Sequence, residues 1–265
     1  MSKLTVAIHK LTSCSGCQLA FLNQGEGLLS LLERAEILHF VEGGIYNPEC
    51  PVDIAFVEGS ISTPHDLVRV NAIRSHSKLV VTIGACATSG GVQALRNFSQ
   101  LYGTASSMKL QVYARPDFIE TLENSEPVAS AIKVDYELWG CPVSAAQVNR
   151  FLVQLLLGTK AKAEKEKLCM QCKRQQIVCV LVTKQAPCLG PTTRTGCGAM
   201  CPAYGKACYS CYGPSEQPNC RSLANRLKGI GLVDQEVVNR FAQIHCHSPE
   251  YRKEIEHWAP DSKKE

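Results

Sequence analysis

LTVAIHKLTSCSGCQLAFLNQGEGLLSLL, residues Leu4–Leu32, changes its apolar period partway along. Leu4–Ile8 is a short apolar run that reads as a strand. From Gly16 to Leu32 the apolar positions recur every three or four residues, as one face of a helix requires. Between the two lies CSGC (Cys14–Cys17), so a strand feeds a helix through a tight, cysteine-bearing loop. The alternation continues downstream. Glu36–Phe40, Asp53–Glu58 and Lys78–Ile83 are further apolar or β-branched runs closed by Gly or a polar turn. His65–Ile73 reads as a helix opened by the Ser-Thr-Pro turn at Ser62–Pro64, Ile132–Leu138 as a last strand, and Ser144–Leu157 as a helix capped by Ser144. Strands alternating with helices over residues 1–160 predict an α/β fold with a doubly wound parallel sheet.

Functional loops of such a sheet lie at the carboxyl ends of its strands. Cys14 and Cys17 follow the first strand, Cys86 (in GACATSGG) follows the strand ending at Ile83, and Cys141 (in GCP) follows the last. Three loops far apart in sequence are thereby predicted to bring four thiolates to one edge. Soft thiolates suit zinc or iron–sulfur clusters. Zinc ribbons gather paired knuckles, whereas one pair and two singles spread over a whole domain favour a cubane, whose four irons each take one ligand. Gly84, Gly90, Gly91 and Gly140 permit tight turns around these sulfurs, and Pro142 fixes the exit from Cys141.

After Lys167 helical periodicity fades, Gly and Pro rise, and eight cysteines crowd together: Cys169, Cys172, Cys179, Cys188, Cys197, Cys201, Cys208 and Cys211. Eight is twice four, and the Cys-Pro and Pro-Cys steps at Pro187 and Pro202 belong to the iron–sulfur idiom. Residues 168–265 are expected to form a second, cysteine-rich iron–sulfur domain with little regular structure, held together by ligation. The spacing does not say which four cysteines serve which cluster. A helical pattern resumes from Arg221, and Ser262–Glu265 reads as a disordered tail. Cys50, Cys220 and Cys246 are left over and read as ordinary thiols.

Composition excludes several classes. The 15 cysteines are odd in number, so complete intrachain disulfide pairing is impossible. A net charge of +4 without a dense Lys/Arg block gives no support to nucleic-acid binding. Apolar runs are too short for a membrane span, and residues 1–10 carry no export signal, so a cytoplasmic, reducing location is expected. The mixed-sign run Lys160–Lys167 reads as a solvated linker or helix end.

CSGC, VEGSIS (Val57–Ser62), GACATSGG (Gly84–Gly91) and GCP (Gly140–Pro142) resemble, in order and placement, the flavodoxin-like domain of [NiFe]-hydrogenase small subunits. PCLGPTTRTGCGAMCPAYGKACYSCYGP (Pro187–Pro214) is similar to the cytosolic multimeric branch, particularly the delta subunits of NADP-linked sulfhydrogenases. The resemblance implies three [4Fe-4S] clusters, the proximal one on Cys14, Cys17, Cys86 and Cys141, the medial and distal ones on the eight later cysteines. It also implies a large subunit holding the NiFe centre, with iron–sulfur beta-type and flavin-binding gamma-type partners carrying FAD and NAD(P). This chain alone would catalyse nothing, and no dinucleotide fingerprint occurs in it.

Exported uptake enzymes of this family use a leader and a histidine on the distal cluster, neither of which the sequence offers. Its histidines (His9, His39, His65, His76, His245, His247, His257) read as structural or surface residues. The alternative family is the complex I-like, quinone-linked subunit, which carries adjacent cysteines where CSGC stands here. A third possibility is a zinc-stabilised binding module. Glu58, at a strand end beside the first cysteine set, reads as a structural hydrogen-bonding group. Thr12 and Ser13 are expected to cap the following helix and donate to sulfur.

Overall fold

A computed structural model describes residues 3–159 and 164–259. The proposed tail Ser262–Glu265 and residues 160–163 of the charged run lie outside the described residues. Five parallel strands form one sheet in the order β2-β1-β3-β4-β5: β1 (Leu4–Lys10), β2 (Ala35–Phe40), β3 (Val52–Glu58), β4 (Ser77–Ile83) and β5 (Tyr136–Leu138). This is the flavodoxin-like order, with its switch point between β1 and β3. The register sets Lys10 beside Glu58, Glu58 beside Ile83 and Ile83 beside Leu138, so the carboxyl ends of four strands finish level.

Helices cover both faces. On one, Phe21 of α1 (Gly16–Leu22) and Phe151 of α7 (Ala145–Leu156) meet Phe56 of β3 edge-on, with ring centroids 5.1 and 6.1 Å apart. On the other, Val70 and Ile73 of α3 (Pro64–Ser75) pack on Ala55, Val57 and Val80. Burying each such side chain contributes roughly 1.5–3 kcal/mol. Caps start these helices where the residues demand it. Thr63 accepts from the Asp66 N–H while Asp66 accepts from the Thr63 N–H, and Ser144 accepts from the Gln147 N–H at 3.2 Å.

Three expectations need correction. The helix foreseen over Gly16–Leu32 is two, because Gly25 takes φ +56° and separates α1 from α2 (Glu26–Arg34). The last strand is only three residues long: the Asp135 carboxylate accepts the Val80 N–H at 2.8 Å, taking the place a strand carbonyl would fill. Thr12 and Ser13 do not cap α1. Its N-cap is Ser15, at φ +66°, without a side-chain cap, and the Thr12 hydroxyl donates to Asp66 instead.

Beyond β4 come α4 (Gly84–Ser89), α5 (Ser99–Tyr102) and α6 (Ala105–Val112). The second half carries only short helices around its cysteines, α8 (Leu168–Arg174), α9 (Val180–Thr183) and α10 (Met200–Ala203), then α11 (Cys220–Gly229), α12 (Asp234–Phe241) and α13 (Pro249–Trp258). The last three pack with Ala94, Phe98 and Leu189 around a separate core of Leu227, Val238, Phe241 and Tyr251. Among the described residues no helix is long and apolar enough to cross a membrane.

Candidate metal centres

Four cysteines meet at the carboxyl edge of the sheet. Cys14 stands exposed in the loop leaving β1, Cys17 is buried in the first turn of α1, Cys86 lies in α4 directly beyond β4, and Cys141 is exposed just after β5. The glycines make room for sulfur. A methyl group at Gly84 (φ +83°) would lie 2.2 Å from Cys17 Sγ, and one at Gly91 (φ +65°) 2.7 Å from Cys86 Sγ.

Burial raises the thiols of Cys17, Cys86 and Cys141, that of Cys86 to about 11. The sulfurs also oppose one another's ionisation: Cys17 feels Cys86 and Cys141, while Cys86 and Cys141 both feel Cys14. Four thiolates can therefore share this edge only around compensating positive charge, which metal ligation supplies. Ser13 Oγ, beside Cys14, is buried without a partner, as a donor awaiting sulfur would be.

Glu58 is 2% exposed and its carboxyl is raised by burial. Its Oε1 accepts the Cys17 N–H at 3.0 Å, so it fixes the turn carrying that thiol. Gln93, which no motif singled out, accepts from the Cys86 thiol at 3.4 Å and donates to the Thr12 carbonyl at 3.3 Å.

The eight later cysteines are coupled electrostatically throughout: Cys172 feels Cys188, Cys179 and Cys197, and Cys188 feels Cys179 and Cys201. Cys169 is pushed up to about 11 by burial, then by Cys188, Cys172 and Cys179, and a methyl at Gly190 would touch both Cys188 Sγ (3.4 Å) and Cys169 Sγ (3.7 Å). Cys211 is pushed up to about 12 by burial, then by Cys197, Cys201 and Cys141. Cys208 is raised by burial and feels Cys188 and Cys211; its Sγ accepts the Ser210 N–H at 3.3 Å. Further links run between the cysteine regions. Cys141 lies within electrostatic reach of Cys211, and the Cys208 N–H donates to Cys188 Sγ at 3.3 Å.

Among the described residues no three Cys, His or acidic side chains close upon a single ion. A cubane needs its four donors spaced around it rather than gathered on one point, and backbone N–H groups aimed at sulfur are part of its setting. The donor chemistry fits that group. Cys50, Cys220 and Cys246 are buried at 6, 5 and 0% exposure. His245, also outside every motif, is buried between the two cysteine regions.

The family model described as NADH ubiquinone oxidoreductase, 20 Kd subunit, matches residues 14–155. Sulfhydrogenase 2 subunit delta of Pyrococcus furiosus is 34% identical over 239 residues, covering 90% of this chain and 98% of its own. One chain of the F420-non-reducing hydrogenase vhu of Methanococcus voltae is 30% identical over 258 residues, covering 86% and 89%. Among solved structures, a chain of an NAD+-reducing [NiFe]-hydrogenase in the H2-reduced state is 27% identical and superposes with a TM-score of 0.56 over 61% of this chain and 96% of that one. Sheet order, cysteine-bearing strand ends and these matches agree: the chain belongs to the NADH ubiquinone oxidoreductase 20 Kd subunit family, as an electron-transfer small subunit of the [NiFe]-hydrogenase kind.

Proposed function

We propose that this chain relays electrons between the nickel–iron site of a large subunit and flavin- and NAD(P)-binding partner subunits through three [4Fe-4S] clusters. Cys14, Cys17, Cys86 and Cys141 would hold the proximal cluster, Cys197, Cys201, Cys208 and Cys211 the middle one, and Cys169, Cys172, Cys179 and Cys188 the outer one. Residues 1–160 would serve the first and residues 168–265 the others. The observation that carries this reading is the continuity of the sulfurs, from Cys141 to Cys211 and from Cys208 to Cys188.

Bound cubanes supply reversible one-electron chemistry, and the protein sets potentials and separations. Glu58 and Gln93 orient the proximal thiols, the Ser210 and Cys208 N–H groups stabilise thiolate sulfur, and burial excludes water. Exposed Leu19, Ile45, Tyr46, Val68 and Val92 flank the proximal edge and support a large-subunit contact there. In this reading a flavin-bearing gamma-type and an iron–sulfur beta-type subunit complete a cytoplasmic complex; the names of the sulfhydrogenase delta and NAD+-reducing relatives support a multi-subunit assembly linked to NAD. The quinone-linked alternative rests on the family model, which ends at residue 155, before any second-half cysteine; relatives spanning about nine tenths of the chain are hydrogenase subunits.

Anaerobic purification of the complex tests the reading. Iron and sulfide near twelve atoms each per chain, with reduction of the clusters under hydrogen, are expected; zinc in place of iron, or clusters that hydrogen leaves oxidised, overturns it.

A further inference from the structure

From Lys167 to Ser215 the chain contains cations but no Asp or Glu. Lys173, Arg174, Lys184 and Lys206 are exposed, whereas Arg194 is half-buried. The Arg194 main-chain N–H donates to the Gly213 carbonyl at 3.0 Å, its Nε donates to the Pro214 carbonyl at 2.9 Å, and Thr193 pairs antiparallel with Pro214. Arg194 thus closes the stem of the loop on which Cys197, Cys201, Cys208 and Cys211 lie. Its guanidinium carbon sits 4.0 Å from the centre of the Trp139 ring, two residues before Cys141. The same ring would meet a methyl group at Gly213 at 2.4 Å, and it packs on His245, which donates to the Cys211 carbonyl. The charge therefore lies against the packing that joins the Cys141 loop to the Cys211 loop.

Burial makes that charge costly and lowers the guanidinium pKa. Among the described residues it has no ion-pair partner: Glu137 and Glu250 act on it only from beyond ion-pair distance. The Glu137 carboxylate turns to the indole instead, accepting the Trp139 Nε1–H at 3.0 Å. A desolvated cation without a paired acid is destabilising unless some other anion lies near it. Four thiolates leave a cubane net negative, and reduction makes it more so. Such a group on Cys197, Cys201, Cys208 and Cys211 would stand at the end of the stem that Arg194 closes.

We propose that Arg194 is a potential-setting residue: its cation, held on the Trp139 ring at the stem of the Cys197–Cys211 loop, raises the midpoint potential of the middle cluster. The assignment rests on the relay reading and names the side chain that sets the level of its central station. A fixed positive charge favours the redox state with more negative charge, here the reduced one, and a low local dielectric strengthens the effect. The exposed lysines of the same segment are screened by water and salt and contribute far less. One electron enters or leaves the cluster while Arg194 stays protonated, so no bond to it is made or broken. The competing reading is a clamp: the stack and the two carbonyl contacts would hold the loop ends together, with the charge incidental.

The test is an anaerobic redox titration of the purified complex followed by electron paramagnetic resonance, with iron and sulfide measured per chain. The middle cluster's signal is the one that Cys211→Ser removes. Arg194→Met should keep wild-type iron and shift that midpoint down, so that at the potential where the wild-type cluster is half reduced the variant's is mostly oxidised. Arg194→Lys keeps the charge without the planar stack and should stay closer to wild type than to Arg194→Met. Arg150→Met, an exposed cation of α7 paired with Glu164, should match wild type. An unmoved midpoint in Arg194→Met at full iron overturns the proposal, and three titrating clusters would leave the relay reading standing. Equal falls in the Met and Lys variants overturn it too, by showing that the stack rather than the charge sets the potential. If Arg194→Met loses iron, Arg194→Lys decides: full iron with a midpoint near wild type supports the role of the charge, while lost iron or a lowered midpoint overturns it. A wild-type complex without titrating clusters removes the relay reading and this proposal with it.

Discussion

His245 and Ser89, 156 residues apart in sequence, are joined by a 2.7 Å hydrogen bond inside the protein. The other imidazole nitrogen, Nε2, lies 3.0 Å from the Cys211 carbonyl. A carbonyl cannot donate, so Nε2 carries the proton and Nδ1 accepts from the Ser89 hydroxyl. Burial holds the ring's pKa down to about 4, and the Trp139 ring packs beside it at 5.1 Å. One neutral side chain thus ties the loop after Cys86, the strand end before Cys141 and the backbone of Cys211.

Removing that tie should loosen the junction between the first and second cysteine sets without removing a ligand. His245→Phe strands the Cys211 carbonyl and is expected to cost about 1–3 kcal/mol. Iron content should stay at the wild-type level while the thermal midpoint of the complex drops. An unchanged midpoint would show that the hydrogen bonds contribute nothing to holding the halves together.

Cys86→Ser should abolish hydrogen-driven reduction and lower iron by about a third, because one of the three proposed quartets loses a donor. Cys220→Ser should keep all its iron, since that thiol lies in α11, buried in the apolar core with Leu223 and Leu227, and belongs to none of the proposed quartets. Metal analysis of the two variants side by side checks the ligand assignment. Full activity in Cys86→Ser would refute it.

The sheet is legible in the sequence because its strands are buried on both faces and so read as dense apolar runs, Ile54–Val57 and Leu79–Ile83 among them. The proximal quartet is legible because parallel topology forces strand ends to one edge. Element limits are less so: nothing local says that Asp135 will occupy the Val80 N–H, or that Gly25 will break a sustained helical period. How the eight later cysteines are shared depends on loop paths with little periodicity, such as the turn at Gly190, where an added methyl group would meet both Cys188 Sγ and Cys169 Sγ. His245 leaves no signal at all, since its partners are a serine and a main-chain carbonyl from distant loops.

Gly84→Ala should damage the proximal site more than any loss of backbone freedom explains. Its Cβ would sit 2.2 Å from Cys17 Sγ, which cannot retreat because Glu58 holds the Cys17 N–H. Gly231→Ala serves as the comparison: its φ of +104° is equally unfavourable for a side chain, but nothing lies within 4 Å of the added methyl group. The comparison variant should lose about 1–2 kcal/mol of stability and no iron. Gly84→Ala should lose about a third of its iron. Equal iron in both variants would mean that the close approach to sulfur has no bearing on ligation.

Acidification should destabilise the sheet through His9. The ring is buried on β1, 4.6 Å from His39 and near Arg69, and burial lowers its pKa from the ordinary 6.5 to about 3. Below pH 6.5 the unfolded chain takes the proton and the folded one does not. The contribution is therefore complete above that value and shrinks as pH falls toward 3, by about 2 kcal/mol between pH 6.5 and 5. His39, whose pKa burial also lowers, acts in the same direction. Guanidinium midpoints at pH 7 and 5.5 should converge in His9→Gln relative to wild type. An identical pH slope in both would remove His9 from the account.

Loss of metal should unfold the cysteine-rich segment selectively. The apolar cluster inside it contains Leu168, Val180, Ala199, Cys188 and Cys208, so two of its five fully buried members are themselves proposed ligands. Such a core cannot offset the chain entropy of some forty residues, at roughly 1–2 kcal/mol each, without ligation. The sheet has its own two apolar faces, and α11–α13 have theirs on Ala94 and Phe98. After anaerobic chelation of iron, trypsin should cut first at Lys173, Arg174, Lys184 and Lys206, leaving fragments that end near those positions while residues 3–159 stay intact. Cleavage beginning within β1–β5 would show that the clusters hold up the sheet as well, and that its aromatic core is insufficient by itself.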